Sequence, residues 1–167
     1  NYQCIVIKAW ALFAVGKEKE ARDLIAGLMN DPVDSLLALE YAALFENLIG
    51  SINSAINYLE QMYQNVDSDH KRNIALKLAS LHLQNRDTVK AIEWLDREEI
   101  DITENIELAK RFVPALYANQ ELERAYRCCQ KIRENKNIQE PSLLELEAYI
   151  AEMLGNLQLA YELDTQL

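Results

Sequence analysis

The side chains best suited to proton transfer, nucleophilic attack or soft-metal binding are sparse in this 167-residue chain: His70, His82, Cys4, Cys128 and Cys129. No Ser/His/Asp spacing, HExxH helix, calcium loop or phosphate-cradling Gly-rich loop occurs. There is no CxxC and no Cys/His cluster, so the residues needed for a zinc site do not come together. Cys128 and Cys129 are neighbours whose helical side chains point about 100° apart, which disfavours a bridge between them. Cys129 falls on the core-facing stripe of its helix and is expected to behave as a small buried hydrophobe. His82 lies on a helix and is expected to be packed, while Glu98-Glu99 and Asp67/Asp69 fall in loop-like stretches and read as solvated. The expectation is therefore no catalytic residue, no metal and no cofactor.

Charge offers binding chemistry instead. The net charge is −10, with five acids and no Lys or Arg across residues 35–70 and the same pattern across 141–167. Residues 106–140 reverse it, with seven bases against five acids, among them Lys110-Arg111, Arg124, Arg127, Lys131 and Arg133. These cations are expected to pair with nearby acids such as Glu107 and Glu123; the alternative is that they receive an acidic partner segment. Nucleic-acid binding depends on clustered Lys and Arg neutralising phosphates, and this balance argues against it. No apolar run approaches the roughly 18 to 20 residues that cross a bilayer, so direct membrane insertion is not expected.

The elements that must position these groups are helical. Half the residues are hydrophobic, with only four Gly and three Pro, and no β-branched or aromatic run alternates over a strand length. Ala21, Ala55, Ala91, Ala125 and Ala160 recur at intervals of 34, 36, 34 and 35 residues. A second ladder of Ala9, Ala43, Ala79, Val113 and Ala148 runs twelve residues upstream of it. Two phased ladders are the signature of stacked helical hairpins. The repeats divide at about 2–34, 35–70, 71–102, 103–140 and 141–167, each with a helix A, a turn and a helix B. A single solenoid over residues 1–167 is expected.

Turns fall at Gly16, Gly50 and Gly155, five residues before the second-helix alanine. Arg86 and Gln120 hold that place in repeats three and four, so the geometry that glycine permits must be reached otherwise there. Asn30-Asp31-Pro32 is expected to end the first helix B, Asn65–His70 to form a loop, and Thr103 to cap the fourth helix A. Pro141 suits a first helical position. Pro114, inside a helix A, removes a backbone bond to Lys110 and reads as a kink in the wall that helix helps to form. The chain opens inside a helical pattern and its last segment still reads as an internal repeat, so a piece of a larger protein is expected.

Leu78-Ala79 with Ala91, and the turns Gly16 to Ala21, Gly50 to Ala55 and Gly155 to Ala160, carry a resemblance to the tetratricopeptide repeat (TPR) family. Lys8 and Glu147 stand where that family prefers Leu, and Val113 where it prefers a small residue. The resemblance implies an all-α, right-handed superhelix that acts as a protein–protein interaction scaffold, with a partner peptide or protein on the side lined by the A helices. Carried over by register, that lining includes Trp10, Phe13, Glu40 and Leu44. Asn73, Leu76 and Lys110 follow, then Tyr117, Glu145 and Tyr149, with Asn47 and Ser80 beside them. Trp10 and Phe13 have a second reading, as packing against a preceding repeat.

The family's clamp for a C-terminal carboxylate is not reproduced, since only Asn73 and Lys77 are of suitable type. The related RNA-reading pentatricopeptide pattern is disfavoured by the acidic charge. Two alternatives stay open: a periplasmic scaffold of a bacterial envelope-assembly or polysaccharide-export machine, and a ligand-sensing module gating an attached domain. A glycan ligand stays open, though no residue pattern points to one. The cysteines favour a reducing compartment and hence the cytoplasm, without deciding against a periplasm.

The small residues of the ladder let paired helices approach closely. Replacing Ala55 by Leu is expected to overpack that contact and cost about 1–3 kcal/mol, read as a lower urea midpoint with an unchanged slope.

Overall fold

In the computed structural model, described for residues 2–29, 35–134 and 141–165, helices pair as the ladders require. Five hairpins follow one another: α1 (Tyr2–Ala14) with α2 (Glu18–Leu28), α3 (Ser35–Leu48) with α4 (Ile52–Asn65), and α5 (Ser68–Gln84) with α6 (Thr88–Arg97). They continue as α7 (Ile106–Ala118) with α8 (Leu122–Glu134) and α9 (Pro141–Met153) with α10 (Leu157–Asp164). No strand occurs among the described residues. The expected helix ending at Asn30-Asp31-Pro32 lies outside them.

The ladder residues sit where the helices of each pair meet. Ala9, Ala21, Ala55, Ala79, Ala91, Val113 and Ala125 are fully buried, and Ala43, Ala148 and Ala160 nearly so. A small side chain at each crossing brings two backbones close enough for their larger neighbours to interlock. One apolar cluster joins α1, α2 and α3, and a second runs from Ala43 on α3 to Ile150 on α9. Tyr58 on α4 packs against both clusters.

All five hairpins turn in the same way. Gly16, Gly50 and Gly155 have φ of 81°, 83° and 82°, and Arg86 and Gln120 reach 62° and 64° without being glycine. The amide of each donates three residues back, and the next amide five residues back, as in Gly50 N to Asn47 O and Ser51 N to Glu46 O. Asp87 N to His82 O and Glu121 N to Leu116 O repeat it in the two turns without glycine. This pairing satisfies the last carbonyls of each A helix and reverses the chain. Repeats three and four therefore reach the glycine geometry directly, held there by the same hydrogen bonds.

Two helix starts differ from the sequence expectation. Asp67 caps α5 by accepting from the His70 amide at 3.2 Å, so Ser68, Asp69 and His70 begin the helix and the loop shrinks. Asn105, not Thr103, caps α7 by accepting from the Leu108 amide, also at 3.2 Å. Thr103 lies in a 3-10 turn, where its amide and hydroxyl both donate to Asp101 at 2.9 and 2.8 Å. In both places a short Asp or Asn side chain three residues ahead of a free amide wins the capping position. Helix α7 continues through Pro114, whose ring is exposed, while Pro141 opens α9 as expected.

Polar contacts stitch successive hairpins together. Arg22 reaches Glu46 at 2.7 Å, Lys77 reaches Glu40 at 2.5 Å, Arg124 reaches Asp96 at 2.5 Å, and Arg133 reaches Glu147 at 3.2 Å. Each of the four junctions is thus crossed by an ion pair.

The turns can be tested without touching the core. A Cβ added at Gly50 would meet nothing within 4 Å, so Gly50→Ala isolates backbone strain and is expected to cost about 1 kcal/mol. Gln120→Gly is expected to relieve strain and gain roughly 0.5 kcal/mol once the looser unfolded chain is counted. Urea unfolding of the two variants should move in opposite directions.

Candidate functional site: a groove along the A helices

Helices α3, α5 and α7 leave between them a groove of about 640 Å³. Its walls are Glu40, Tyr41, Leu44 and Asn47 on α3, Leu76, Lys77, Ser80, Leu81 and Gln84 on α5, and Leu108 and Arg111 on α7. Ala43 and Leu59 close the floor. Leu44 is 45% exposed, large for a leucine with apolar neighbours on the facing helix. An adjoining depression of about 320 Å³ lies among α3, α4 and α5, where Asn73, His70 and Asp67 meet Glu40 and Lys77. The Lys77–Glu40 pair lines both spaces.

The residues expected to line a partner site fall into separate groups. Glu40, Leu44 and Leu76 come together in the groove, with Asn47 and Ser80, and Asn73 joins Glu40 in the depression. Trp10 is half exposed on α1, whereas Phe13 packs partly into the first core cluster. Tyr117 and Tyr149 meet edge to face across α7 and α9, with ring centres 6.1 Å apart. Lys110 is half-buried, 3.9 Å from Glu107, and Glu145 is exposed on α9; neither lines the groove.

Register explains what the sequence reading missed. The lining expected from sequence uses the positions three before, one after and four after the first-helix ladder, with Asn73 six before it. The position two before the ladder also faces the groove, as Tyr41, Lys77 and Arg111. The signal was present in their spacing, 36 and 34 residues, which matches the ladder interval at Ala43, Ala79 and Val113. Gln84 and Leu108 lie outside the register positions used.

Outside the groove, the charged groups are mostly engaged. Arg124 pairs with Asp96 rather than with Glu123, and Lys131 with Glu134 at 3.0 Å. Glu147, where the resemblance would place Leu, is buried and accepts from the Arg133 guanidinium through both oxygens. Burial raises the Glu147 carboxyl and Arg133 opposes that rise. Glu46 is also buried, with Arg22 on one oxygen. Glu98, expected in solvent, is half-buried and accepts from the Tyr63 hydroxyl; Asp67, beyond capping α5, lies 2.5 Å from the His70 ring.

Most of the groups suited to covalent chemistry are buried. Both Cys128 and Cys129 are buried, where Cys129 alone was expected, and burial pushes their thiols up to about 11 and about 12. Cys4 is exposed on α1. His82 is buried as expected, and neither ring nitrogen has a hydrogen-bond partner among the described residues. Among those residues no three His, Cys, Asp or Glu gather to hold a metal, and no helix is long and apolar enough to cross a membrane.

Comparison with solved structures places this architecture. PilF of Pseudomonas aeruginosa matches with a TM-score of 0.64 at 15% identity, over 100% of this chain and 75% of that one. MamA from Desulfovibrio magneticus RS-1 matches with a TM-score of 0.68 at 11% identity, over 99% of this chain and 92% of that one. Kinesin light chain-type TPR-like repeats from Podospora anserina match at 0.62 and 17% identity, over 98% and 92% of the respective chains. No family model matches the sequence, and comparison with curated proteins finds no match. The fold is the all-α, right-handed superhelix of the tetratricopeptide-repeat proteins.

Burial lowers the His82 imidazole below its ordinary value, opposed by Asp87, whose carboxylate lies 3.8 Å away. The folded protein thus holds His82 neutral, while the unfolded chain protonates it near its ordinary 6.5. Its contribution is full above pH 6.5 and is lost as pH falls from there through the lowered value. His70 acts in the opposite sense, because Asp67 raises it. Thermal melts between pH 7.5 and 5.5 should therefore fall more for the wild type than for His82→Leu, which leaves His70 in place.

Proposed function

We propose that this chain is a protein-interaction scaffold that holds a partner peptide or protein segment along the groove formed by α3, α5 and α7. The observation that carries the reading is the groove itself: about 640 Å³, walled by Leu44, Leu76, Leu81 and Leu108 with polar side chains at intervals. Apolar surface exposed in a concave site gains about 25 cal/mol for each Å² removed from water, and spaced polar groups then set which segment fits. The five hairpins, taken over residues 1–167, act in this reading as one binding unit with Tyr117 and Tyr149 extending the surface beyond the groove.

A non-enzymatic role is supported by the state of the reactive groups. The buried thiols stay protonated at neutral pH, and the buried His82 ring makes no hydrogen bond with a described residue. The charge of −10 supports a protein rather than a nucleic acid as the partner.

The test is a comparison of proteins retained from a native extract by the wild-type chain and by Leu44→Arg. Leu44 is exposed, so the variant is expected to keep its helical signal and melting temperature. Partners identified by mass spectrometry should drop out with Leu44→Arg. An unchanged set of retained proteins would show that binding happens elsewhere.

A further inference from the structure

We infer that the groove selects a segment in which an internal Asp or Glu is flanked by apolar residues, and that the acid pairs with Arg111. This deepens the groove-binding reading and rests on it. The groove wall carries one carboxylate, Glu40, and two cations, Lys77 and Arg111, although the chain as a whole carries −10. Lys77 is already neutralised, with its ammonium 2.5 Å from Glu40. Arg111 is exposed in the same wall and makes no ion pair or hydrogen bond with a described residue.

The two cations occupy the same register, two residues before Ala79 and Val113, on neighbouring helices. Their difference therefore comes from what faces them: Glu40 from α3 reaches Lys77, and no described residue takes the same role for Arg111. Leu76 and Leu81 on α5 and Leu108 on α7 share the wall with it. A guanidinium beside apolar surface binds a carboxylate through two parallel hydrogen bonds, stronger there than in bulk water.

Charge complementarity sets the choice of occupant. An acidic segment is repelled by most of this protein and attracted at the groove, which gives selection. A basic segment would be drawn to the acidic surface generally, with nothing to direct it to the groove. A single available cation matches one carboxylate, whereas a phosphate dianion calls for more than one.

The test uses a phage library of random 12-residue peptides, each fused at its C-terminus so that no free carboxylate is offered there. Selection on the wild-type chain should enrich Asp or Glu between apolar residues. A synthetic, fluorescein-labelled copy of the strongest peptide should lose roughly tenfold or more in affinity with Arg111→Gln, and keep near wild-type affinity with Lys131→Met, which removes an exposed cation on α8 outside the groove. Replacing its acid by Lys should restore binding to Arg111→Glu. Since Arg111 is exposed, unchanged melting temperatures separate lost contact from lost fold.

Peptides that Leu44→Arg abolishes but that show no acidic preference, or that ignore Arg111→Gln, would overturn the inference and leave groove binding standing. An equal loss of affinity with Lys131→Met would overturn it as well, since the effect would then be one of overall charge. Failure to select any peptide, or selection of peptides indifferent to Leu44→Arg, would remove the groove reading and this inference together.

Discussion

The close approach of two helices at a small residue is the constraint from which the rest of this structure follows. Where Ala79 meets the second helix of its hairpin at Ala91, neither side chain holds the backbones apart, and both are fully buried. The larger neighbours, Leu78, Leu95 and Phe112, then fill the space between one hairpin and the next, also without exposure. Such packing leaves little choice over where each A helix lies relative to the next. The groove along α3, α5 and α7 is the outer surface of that arrangement, so its width is set by ladder alanines of which Ala43 reaches its floor and Ala79 lies beneath it.

The turn is the second element of the same constraint. A fixed left-handed residue and two backward hydrogen bonds return the chain at the same angle five times, with glycine in three cases and Arg or Gln in two. Val113 shows how much variation the ladder tolerates. It is bulkier than alanine, yet it is fully buried opposite Ala125 in a helix that also contains Pro114. Small size at one member of the pair suffices there. Ion pairs at each junction add orientation rather than much stability, since several have one exposed partner and water screens them.

The hairpins were legible in the sequence because spacing is preserved where letters are not. Ala55 and Ala91 stand 36 residues apart rather than 34, and the phase survives. Helix starts were less legible, because Thr103, Asn105 and Asp101 are all capable caps and only the tertiary path selects among them. The groove was half legible. Glu40, Leu44 and Leu76 followed from register, whereas Arg111 read as one member of a basic run. What separates it from Lys110, one residue away, is rotation about a helix axis, by which Arg111 enters the wall and Lys110 lies beside Glu107. Long-range pairs such as Arg133 with Glu147 leave no local signal at all, and Glu147 looked only like a departure from leucine.

The series Tyr41, Lys77 and Arg111 is also a scale with unequal marks. The repeat presents the same backbone site to the groove three times, but the chemistry at that site changes from phenol to paired ammonium to guanidinium. A segment lying along these helices could not slide by one hairpin and find equivalent company. The periodicity that builds the wall and the irregularity of its side chains together define a start, an end and a direction on a surface that the backbone alone would leave translationally degenerate.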